Sequence, residues 1–215
     1  MEESRGRRPY RMRQRAEAMA ETRARIIEAA RSVLAQVPLR RFSIDEAARL
    51  AGVNRTTVYD AFGSRSGLLE AVAEDLLRRG GFDQIGQALA EPDVVRAIDG
   101  SLDAWARLYE AEAHVAEPIF ALAALDPDAV GAVEVFERGR WDGMRHLALR
   151  LEEQGRLAAG VSREEAAELL WVVTSIQTFG QLTRQRGLPP ALAADRLKLL
   201  VPAVRGDPRT RSARV

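Results

Sequence analysis

The stretch "AARLAGVNRTTVYDAF", residues 47–62, constrains the fold more than any other part of the chain. Two helices that cross steeply over a very short turn need a small residue on the first helix, a turn residue that tolerates positive φ, and an apolar residue facing inward on the second. Ala48, Gly52 and Val58 meet these needs in that order. The spacing predicts a helix-turn-helix, although a helical hairpin in any bundle would fit the same spacing.

Polar residues at the starts of these two helices strengthen the prediction. The sequence "SIDE" is a capping box, in which Ser43 can accept from a backbone N–H and Glu46 can reach back. Asn54 is a favourable N-cap for the helix that follows. The second helix of the chain is therefore predicted from Ser43 to Gly52. The third is predicted from Asn54 to about Gly63.

Apolar residues recur at helical spacing along the rest of the chain, and alternating runs of Val, Ile and Thr are nearly absent. The pattern predicts an all-α protein of nine helices, with no sheet and no internal repeat. The other seven predicted helices run from about Met19 to Gln36, from Ser64 to about Arg79, from near Asp93 to Pro118, from Pro118 through Leu125, from Asp126 to Gly155, from Ser162 to Gly187, and from near Pro190 to near Val204.

The charge of the chain is unevenly distributed, although it sums to +1. Residues 1–80 hold 16 Lys and Arg against 11 Asp and Glu, whereas residues 81–204 hold 12 against 19. A basic N-terminal third on an acidic body suggests a polyanion partner for that third. Much of the excess lies in the first fifteen residues, so a solvated basic tail would explain the asymmetry as well.

The composition excludes several functions. The chain of 215 residues has no cysteine, which excludes disulfides, thiol catalysis and cysteine zinc sites. It has only two histidines, and it shows no nucleophile–base motif and no phosphate-cradling glycine loop. We therefore predict no metal, no cofactor and no catalytic residues, and expect the protein not to be an enzyme. No apolar run reaches the roughly 18–20 residues that span a bilayer, and no secretory signal is found, so we expect a cytoplasmic protein without membrane contact.

The N-terminal part resembles the TetR family of bacterial transcriptional regulators over roughly residues 22–79. The family pattern has a Phe-Thr/Ser-hydrophobic opening, then Ala-x-x-Ala-Gly-Val, then Tyr-x-x-Phe, and a basic residue before two leucines. The residues that fill it are Phe42, Ser43, Ile44, Ala48, Ala51, Gly52, Val53, Tyr59, Phe62, Arg65, Leu68 and Leu69. The later segment "ELLWVVTSIQTFGQLTRQRG" resembles the penultimate helix of many members, which helps to pair the dimer.

The resemblance implies an all-helical homodimer that binds a semi-palindromic double-stranded DNA operator. It also implies that a small-molecule effector binds the C-terminal domain and releases the operator, as expected of a repressor. We accordingly divide the chain into a basic flexible arm over 1–18, a helix-turn-helix domain over 19–80, an effector-binding and dimerisation domain over 81–204, and a basic tail over 205–215. The arm could lie on DNA or be a disordered tail. The alternatives are an activator or ligand-independent regulator of this fold, or a helical small-molecule-binding protein without specific DNA binding.

The DNA-contacting residues implied by the resemblance lie on and beside the third helix. Arg55 and Thr56 occupy its first turn, where arginine can read guanine and a threonine methyl can touch thymine. Thr57 and Tyr59 are better placed to bond phosphates. Asp60 is expected to orient Arg55 or another basic residue, or to accept from a cytosine amine. The full predicted set is Ser43, Asn54, Arg55, Thr56, Thr57, Tyr59, Asp60 and Arg65, the last as a phosphate ligand.

The C-terminal part carries two further candidate sites. Several aromatic residues there could line a pocket for an apolar or aromatic ligand, although ordinary helix core explains any single one as well. The predicted pocket residues are Trp105, Tyr109, Phe120, Trp141 and Met144. Small and apolar residues at helical spacing on the penultimate helix predict a dimer interface. Its predicted residues are Ala166, Leu170, Val173, Gln177 and Gly180.

Overall fold

The computed structural model describes residues 4–36 and 42–206, with side chains from Met12 onward, and these ranges form ten α-helices and no strand. The helices are α1 Ser4–Leu34, α2 Ile44–Ala51, α3 Arg55–Phe62, α4 Arg65–Arg79, α5 Phe82–Leu89, α6 Val94–Ala123, α7 Val130–Glu153, α8 Arg163–Val173, α9 Ile176–Gly180 and α10 Pro190–Lys198. Short 3-10 helices at Pro127–Ala129 and Val201–Ala203 and a π-helical turn at Gln181–Gln185 accompany them. The prediction of an all-α fold is confirmed.

Ten helices are found in place of the predicted nine, and the first difference lies in α5 and α6. α5 is only two turns long and occupies a segment that we interpreted as a linker. α6 runs through Pro118, which was predicted to interrupt it. Val115, Ile119 and Leu122 are buried on either side of the proline. This continuous apolar face offsets the roughly 3 kcal/mol that proline costs inside a helix.

The predicted helix over 162–187 is divided in the structure. It begins as predicted, with a capping box between Ser162 and Glu165. α8 then ends at Val173, because Ser175 caps a new helix by accepting from the Thr178 backbone N–H at 3.1 Å. A serine whose side chain bonds the backbone competes with continuation of the preceding helix, and hydrophobic periodicity alone does not report this competition.

α1 begins much earlier than the predicted start near Met19. Its N-terminal part is polar, so apolar periodicity gave no signal there. Pairs of opposite charge four residues apart can stabilise such a helix, and Arg13 Nε lies 2.9 Å from Glu17 Oε1. The segment predicted as a basic arm is therefore the first part of α1 from Ser4 onward. The basic tail from residue 207 onward lies outside the described residues.

The described residues form two compact units, and α4, α6 and α7 contribute to both. The first unit extends to Asp75 and includes Pro118–Val133. Its core joins the inner faces of α1 to α4. The largest of these buried side chains are Ile26, Leu34, Leu68 and Leu69. A buried ion pair, 3.5 Å between Arg31 Nη1 and Asp75 Oδ2, lies in the same unit.

The second unit comprises Leu76–Glu117 and the described residues from Glu134 onward. Its centre is a cluster of aromatic rings. Trp105 and Tyr109 stack with centroids 5.6 Å apart, and Phe136 and Phe179 each lie 5.6 Å from one of them. The Tyr109 hydroxyl donates to the Thr174 carbonyl at 2.7 Å, and burial raises the pKa of Tyr109 well above its ordinary value. This hydrogen bond ties α6 to the junction of α8 and α9.

Candidate nucleic-acid interface

α2, the turn and α3 form the helix-turn-helix that the sequence predicts. Gly52 has φ 66° and ψ 35°, a left-handed conformation that favours glycine. The Val53 N–H donates to the Ala48 carbonyl at 3.0 Å, and Val58 is fully buried. These contacts fix one side of α3 against the core. They leave its other side exposed.

Two predicted DNA-contacting residues, Ser43 and Asn54, cap helices. Ser43 Oγ accepts from the Glu46 backbone N–H at 3.4 Å. Asn54 Oδ1 accepts from both the backbone N–H and the hydroxyl of Thr57, each at 2.8 Å. Ser43 caps the start of α2 and Asn54 caps the start of α3, where the next predicted contact, Thr56, is exposed. Direct contact of these four side chains with DNA stays a prediction.

Arg55 is held by side chains from both helices of the motif. Its Nη1 donates to Asp45 Oδ1 at 3.1 Å and to Asp45 Oδ2 at 3.0 Å, and its Nη2 donates to the Tyr59 hydroxyl at 3.0 Å. The hydrogen bond to Tyr59 and the charge of Asp45 raise the pKa of Arg55 above its ordinary value. Asp45 was absent from the predicted set. It stands ten residues before Arg55 on the other helix, and only the folded motif brings the two together.

Asp60 is exposed, and among the described residues it forms no ion pair. The carboxylate beside Arg55 belongs to Asp45. The expectation that Asp60 orients Arg55 therefore does not hold in this structure. A direct role of Asp60 toward a DNA base stays a prediction.

Arg65 is engaged inside the first unit. Its Nη2 lies 2.6 Å from Asp126 Oδ2, its Nη1 lies 3.0 Å from Asp128 Oδ2, and its Nε donates to the Phe42 carbonyl at 3.3 Å. The hydrogen bond to Asp126 is the largest of the effects that raise the pKa of Arg65. The two carboxylates lie in the turn between α6 and α7. A phosphate bound to Arg65, as predicted, would compete with both of them.

The five predicted pocket residues do not line one pocket. Trp105, Tyr109 and Met144 are buried, and the cavity bounded by the first two has a volume of only about 10 Å³. That is room for one water molecule at most. Trp141 borders an open groove elsewhere in the second unit, and Phe120 belongs to the first unit.

The predicted dimer stripe faces the core of its own chain. Its buried members are Ala166, Leu170, Val173 and Gly180. Only Gln177 is exposed. α8 is apolar on more than one face, and its solvent side carries Leu169, Trp171 and Val172, with 43%, 37% and 51% of their surface exposed. The sequence pattern identified the apolar helix but not which of its faces packs inward.

An open groove runs between α7 and α8. One end has a volume of about 500 Å³ and is lined by Glu134, Glu137, Arg138, Trp141, Glu168 and Trp171. The other end, of about 340 Å³, has Asp142, Arg145, His146, Arg163 and Glu164 as its titratable lining residues. Residue numbers rise along α7 as they fall along α8, so the helices are antiparallel. The first end is acidic and aromatic, whereas the second carries most of the cations.

Arg140 is a buried cation that the sequence pattern did not identify as important. Its Nη1 donates to the Trp171 carbonyl and, at 3.2 Å, to Thr174 Oγ1, and its Nη2 pairs with Glu137. The guanidinium carbon lies 4.7 Å from the ring centre of Trp171. Trp171 Nε1 donates in turn to Glu137 at 2.8 Å. These contacts fix the end of α8 against α7.

The described part of the chain holds neither a cluster of metal ligands nor a membrane-spanning helix. Residues 4–36 and 42–206 contain no group of three His, Asp or Glu side chains placed to hold a metal ion. Over the same ranges, each helix is either too short or too polar to cross a membrane.

Comparison with known proteins agrees with this geometry. Residues 26–72 match the model of a family described as bacterial regulatory proteins, tetR family. Among solved structures, the chain is similar to NalD of Pseudomonas aeruginosa, described as the secondary repressor of the MexAB-OprM multidrug efflux pump, with 19% identity, a TM-score of 0.67, and coverage of 88% of this chain and 98% of that chain. No curated protein matches the sequence.

Two other solved structures show the same fold. The TetR-family regulator PfmR from Thermus thermophilus is 20% identical, with a TM-score of 0.61, and the match covers 82% of this chain and 96% of that chain. A transcriptional regulator from Rhodococcus sp. Rha1 is 18% identical, with a TM-score of 0.62 and coverage of 85% and 95%. The chain therefore has the helix-turn-helix and the fold of TetR-family transcriptional regulators.

Proposed function

We propose that this TetR-type protein is a transcriptional repressor that binds a semi-palindromic operator as a homodimer and is released by a small apolar or aromatic effector. The observation that carries the proposal is the exposed side of α3. Arg55, Thr56 and Tyr59 stand there on a helix whose other side is fixed in the core by Val58. A second helix of this kind, with exposed donors in its first turns, is the element that enters the major groove in helix-turn-helix proteins.

The α7–α8 groove supports the homodimer. Leu169, Trp171 and Val172 expose an apolar surface on α8 that a second copy could cover. A two-fold axis across the middle of the groove would bring the acidic, aromatic end of one copy against the end of the other that carries Arg145 and Arg163. That second end also carries Asp142 and Glu164, so the assignment rests on the exposed apolar residues of α8 rather than on net charge. We assign the dimer contact to this surface in place of the buried stripe.

The closed aromatic cluster supports an effector that is uncharged and apolar. The residues around the small cavity include Leu102, Trp105, Tyr109 and Phe179, and none of its lining residues carries a charge. An effector entering there must separate the rings, because about 10 Å³ is far below the several hundred Å³ of a ligand pocket. Separation would disturb the hydrogen bond from Tyr109 to Thr174 at the end of α8, which adjoins the proposed dimer surface.

Selection of bound duplexes from a random DNA pool tests the proposal. We expect the full chain to enrich a semi-palindromic sequence, and its affinity to fall steeply with salt because phosphate contacts release counterions. Candidate apolar effectors are then added to the selected complex and release is measured. Enrichment of no sequence would favour a helical small-molecule-binding protein without specific DNA binding.

Replacing Arg55 by alanine is expected to weaken binding to the selected operator by about 1–3 kcal/mol and to relax the preference at one base position in each half-site. The reason is loss of a side chain able to donate twice to guanine. Repeating the selection with the variant measures the effect. A scrambled duplex of the same composition is the comparison, because loss of a phosphate contact alone would weaken binding to both duplexes about equally. An unchanged consensus with Arg55→Ala would show that Arg55 reads no base.

Replacing Val172 by glutamate is expected to convert the protein from dimer to monomer, because it places a carboxylate on the exposed apolar side of α8 that the proposed contact covers. Light scattering at micromolar concentration measures the molecular mass. Leu199→Glu is the matched control, since Leu199 is 66% exposed in the same unit but follows the end of α10, outside α7 and α8. A dimer that survives Val172→Glu would place the interface elsewhere.

A further inference from the structure

Side chains of its own chain engage part of the Arg55 guanidinium. Asp45 accepts from Nη1 with both oxygens, and the Tyr59 hydroxyl accepts from Nη2. The guanidinium carbon lies 5.4 Å from the centre of the Tyr59 ring. Among the described residues, Nε has no acceptor. The two oxygens of one carboxylate lie in nearly the same direction from Nη1, so they share one of its N–H groups. Of the five N–H donors of arginine, the one on Nε, one on Nη1 and one on Nη2 therefore remain available.

Two neighbouring donors in a fixed plane suit the O6 and N7 acceptors of guanine in the major groove. We propose that Asp45 is a specificity-determining residue of this protein, which anchors Arg55 so that its remaining donors read guanine rather than bind a phosphate. Asp45 acts through Arg55 and is thus a positioning residue. The inference rests on the proposed function and assigns to it a residue outside the α3 surface.

Electrostatics explains why the anchor separates base reading from phosphate binding. An arginine paired with a carboxylate has little net charge, so it is drawn less strongly to the phosphates that supply non-specific affinity. Its hydrogen bonds to base acceptors do not require a net charge. Arg55 and Asp45 side chains are 56% and 65% exposed, so water screens the pair in the free protein. Exclusion of water at a DNA interface strengthens the pair where it is needed.

The test compares Asp45→Asn with Glu46→Gln in the full-length protein. Glu46 is the adjacent residue in the first turn of α2, so both changes remove one negative charge near the same helix terminus. For each protein, dissociation constants are measured for the duplex that the wild type selects and for a scrambled duplex of the same composition, in the same buffer. Selection from a random pool is repeated with each variant, and thermal unfolding confirms that each is folded.

The specificity ratio is the dissociation constant for the scrambled duplex divided by that for the selected duplex. We expect Glu46→Gln to tighten binding to both duplexes by a similar factor, which leaves this ratio unchanged. Asp45→Asn is expected to lower the ratio about tenfold, within the range for loss of one arginine–guanine contact, and to relax the guanine preference at one position. Asp45→Glu, which keeps the carboxylate, is expected to retain most of the preference. In an Arg55→Ala background, Asp45→Asn is expected to behave like Glu46→Gln, because no guanidinium is left to position.

Three results would overturn the inference. The first is a specificity ratio that is the same for Asp45→Asn and Glu46→Gln. Asp45 would then act only through its negative charge and would not position Arg55. The second is that Asp45→Asn still lowers the specificity ratio in the Arg55→Ala background. If the wild type selects a palindrome in either case, the proposed function stands and only the role of Asp45 fails. The third is that the wild type selects no sequence at all, which overturns the proposed function and this inference together.

Discussion

Replacing Arg140 by alanine is expected to lower the free energy of unfolding by about 3–5 kcal/mol. Arg140 is 1% exposed, and its guanidinium satisfies the Trp171 carbonyl, the Thr174 hydroxyl and the Glu137 carboxylate at once. Removal leaves the carboxylate without its cation and opens a cavity beside the end of α8. Urea unfolding at 25 °C, followed by circular dichroism, measures the loss.

Two substitutions separate the causes of this effect. Arg196→Ala removes an equal charge from an exposed position on α10 in the same unit and is expected to change the stability by less than about 0.5 kcal/mol. Arg140→Met keeps the apolar volume but not the hydrogen bonds, so it is expected to cost less than Arg140→Ala. A midpoint of urea unfolding for Arg140→Ala that equals that of Arg196→Ala would show that the buried network contributes nothing to the fold.

The network also has a consequence for assembly. Arg140 holds Trp171 by donating to its carbonyl and by packing against the face of its ring. Trp171 lines the surface proposed for the dimer. A buried charge is retained in some proteins because it specifies one arrangement of its neighbours. Here it specifies the position of the last turn of α8. Arg140→Met should therefore weaken dimerisation more than it weakens folding, as analytical ultracentrifugation of the variant would show.

Local rules predicted those parts of the structure that depend on neighbouring residues. The caps formed by Ser43, Asn54 and Ser162 and the positive φ of Gly52 follow from side-chain hydrogen bonds and steric freedom within a few residues. Apolar periodicity adds the all-α fold to these signals. The spacing of the helix-turn-helix left a simple helical hairpin open, and the resemblance to the TetR family favoured the former.

Contacts between distant residues were not predictable in the same way. Arg140 stands in a helical pattern at a position that could equally face solvent, and only the packed structure shows it buried. Asp45 and Arg55 meet because two helices cross, not because of a sequence spacing. On α8, apolar residues occupy both the side with Leu170 and the side with Val172, so periodicity could not decide which side meets a partner.

For a related reason, the predicted pocket residues do not surround one open cavity. Composition shows that aromatic residues are present but not whether space is left between them. In the second unit the space between the aromatic residues is filled. The Trp105 ring packs against the rings of Phe82, Tyr109 and Phe136, with centroids 5.6 to 6.3 Å apart. Interiors of this kind have few voids larger than a water molecule. The proposed effector would therefore bind a conformation in which these rings have moved apart, and its affinity includes the free energy of that opening.

Replacing Trp105 by alanine is expected to destabilise the protein by about 3–5 kcal/mol and to leave an apolar cavity that binds indole. Indole at roughly ten times its Kd would restore about 1.4 kcal/mol to the variant, because a ligand that binds only the folded state stabilises it by mass action. Thermal unfolding with and without indole measures both effects. Trp141→Ala is the control, since Trp141 borders an open groove and its loss creates no enclosed site. A rise in the midpoint for Trp105→Ala alone would establish that the cluster can hold a planar apolar ligand once one ring is removed. Equal rises in both variants would indicate binding at the surface instead, and the aromatic cluster would then be core without a ligand-binding role.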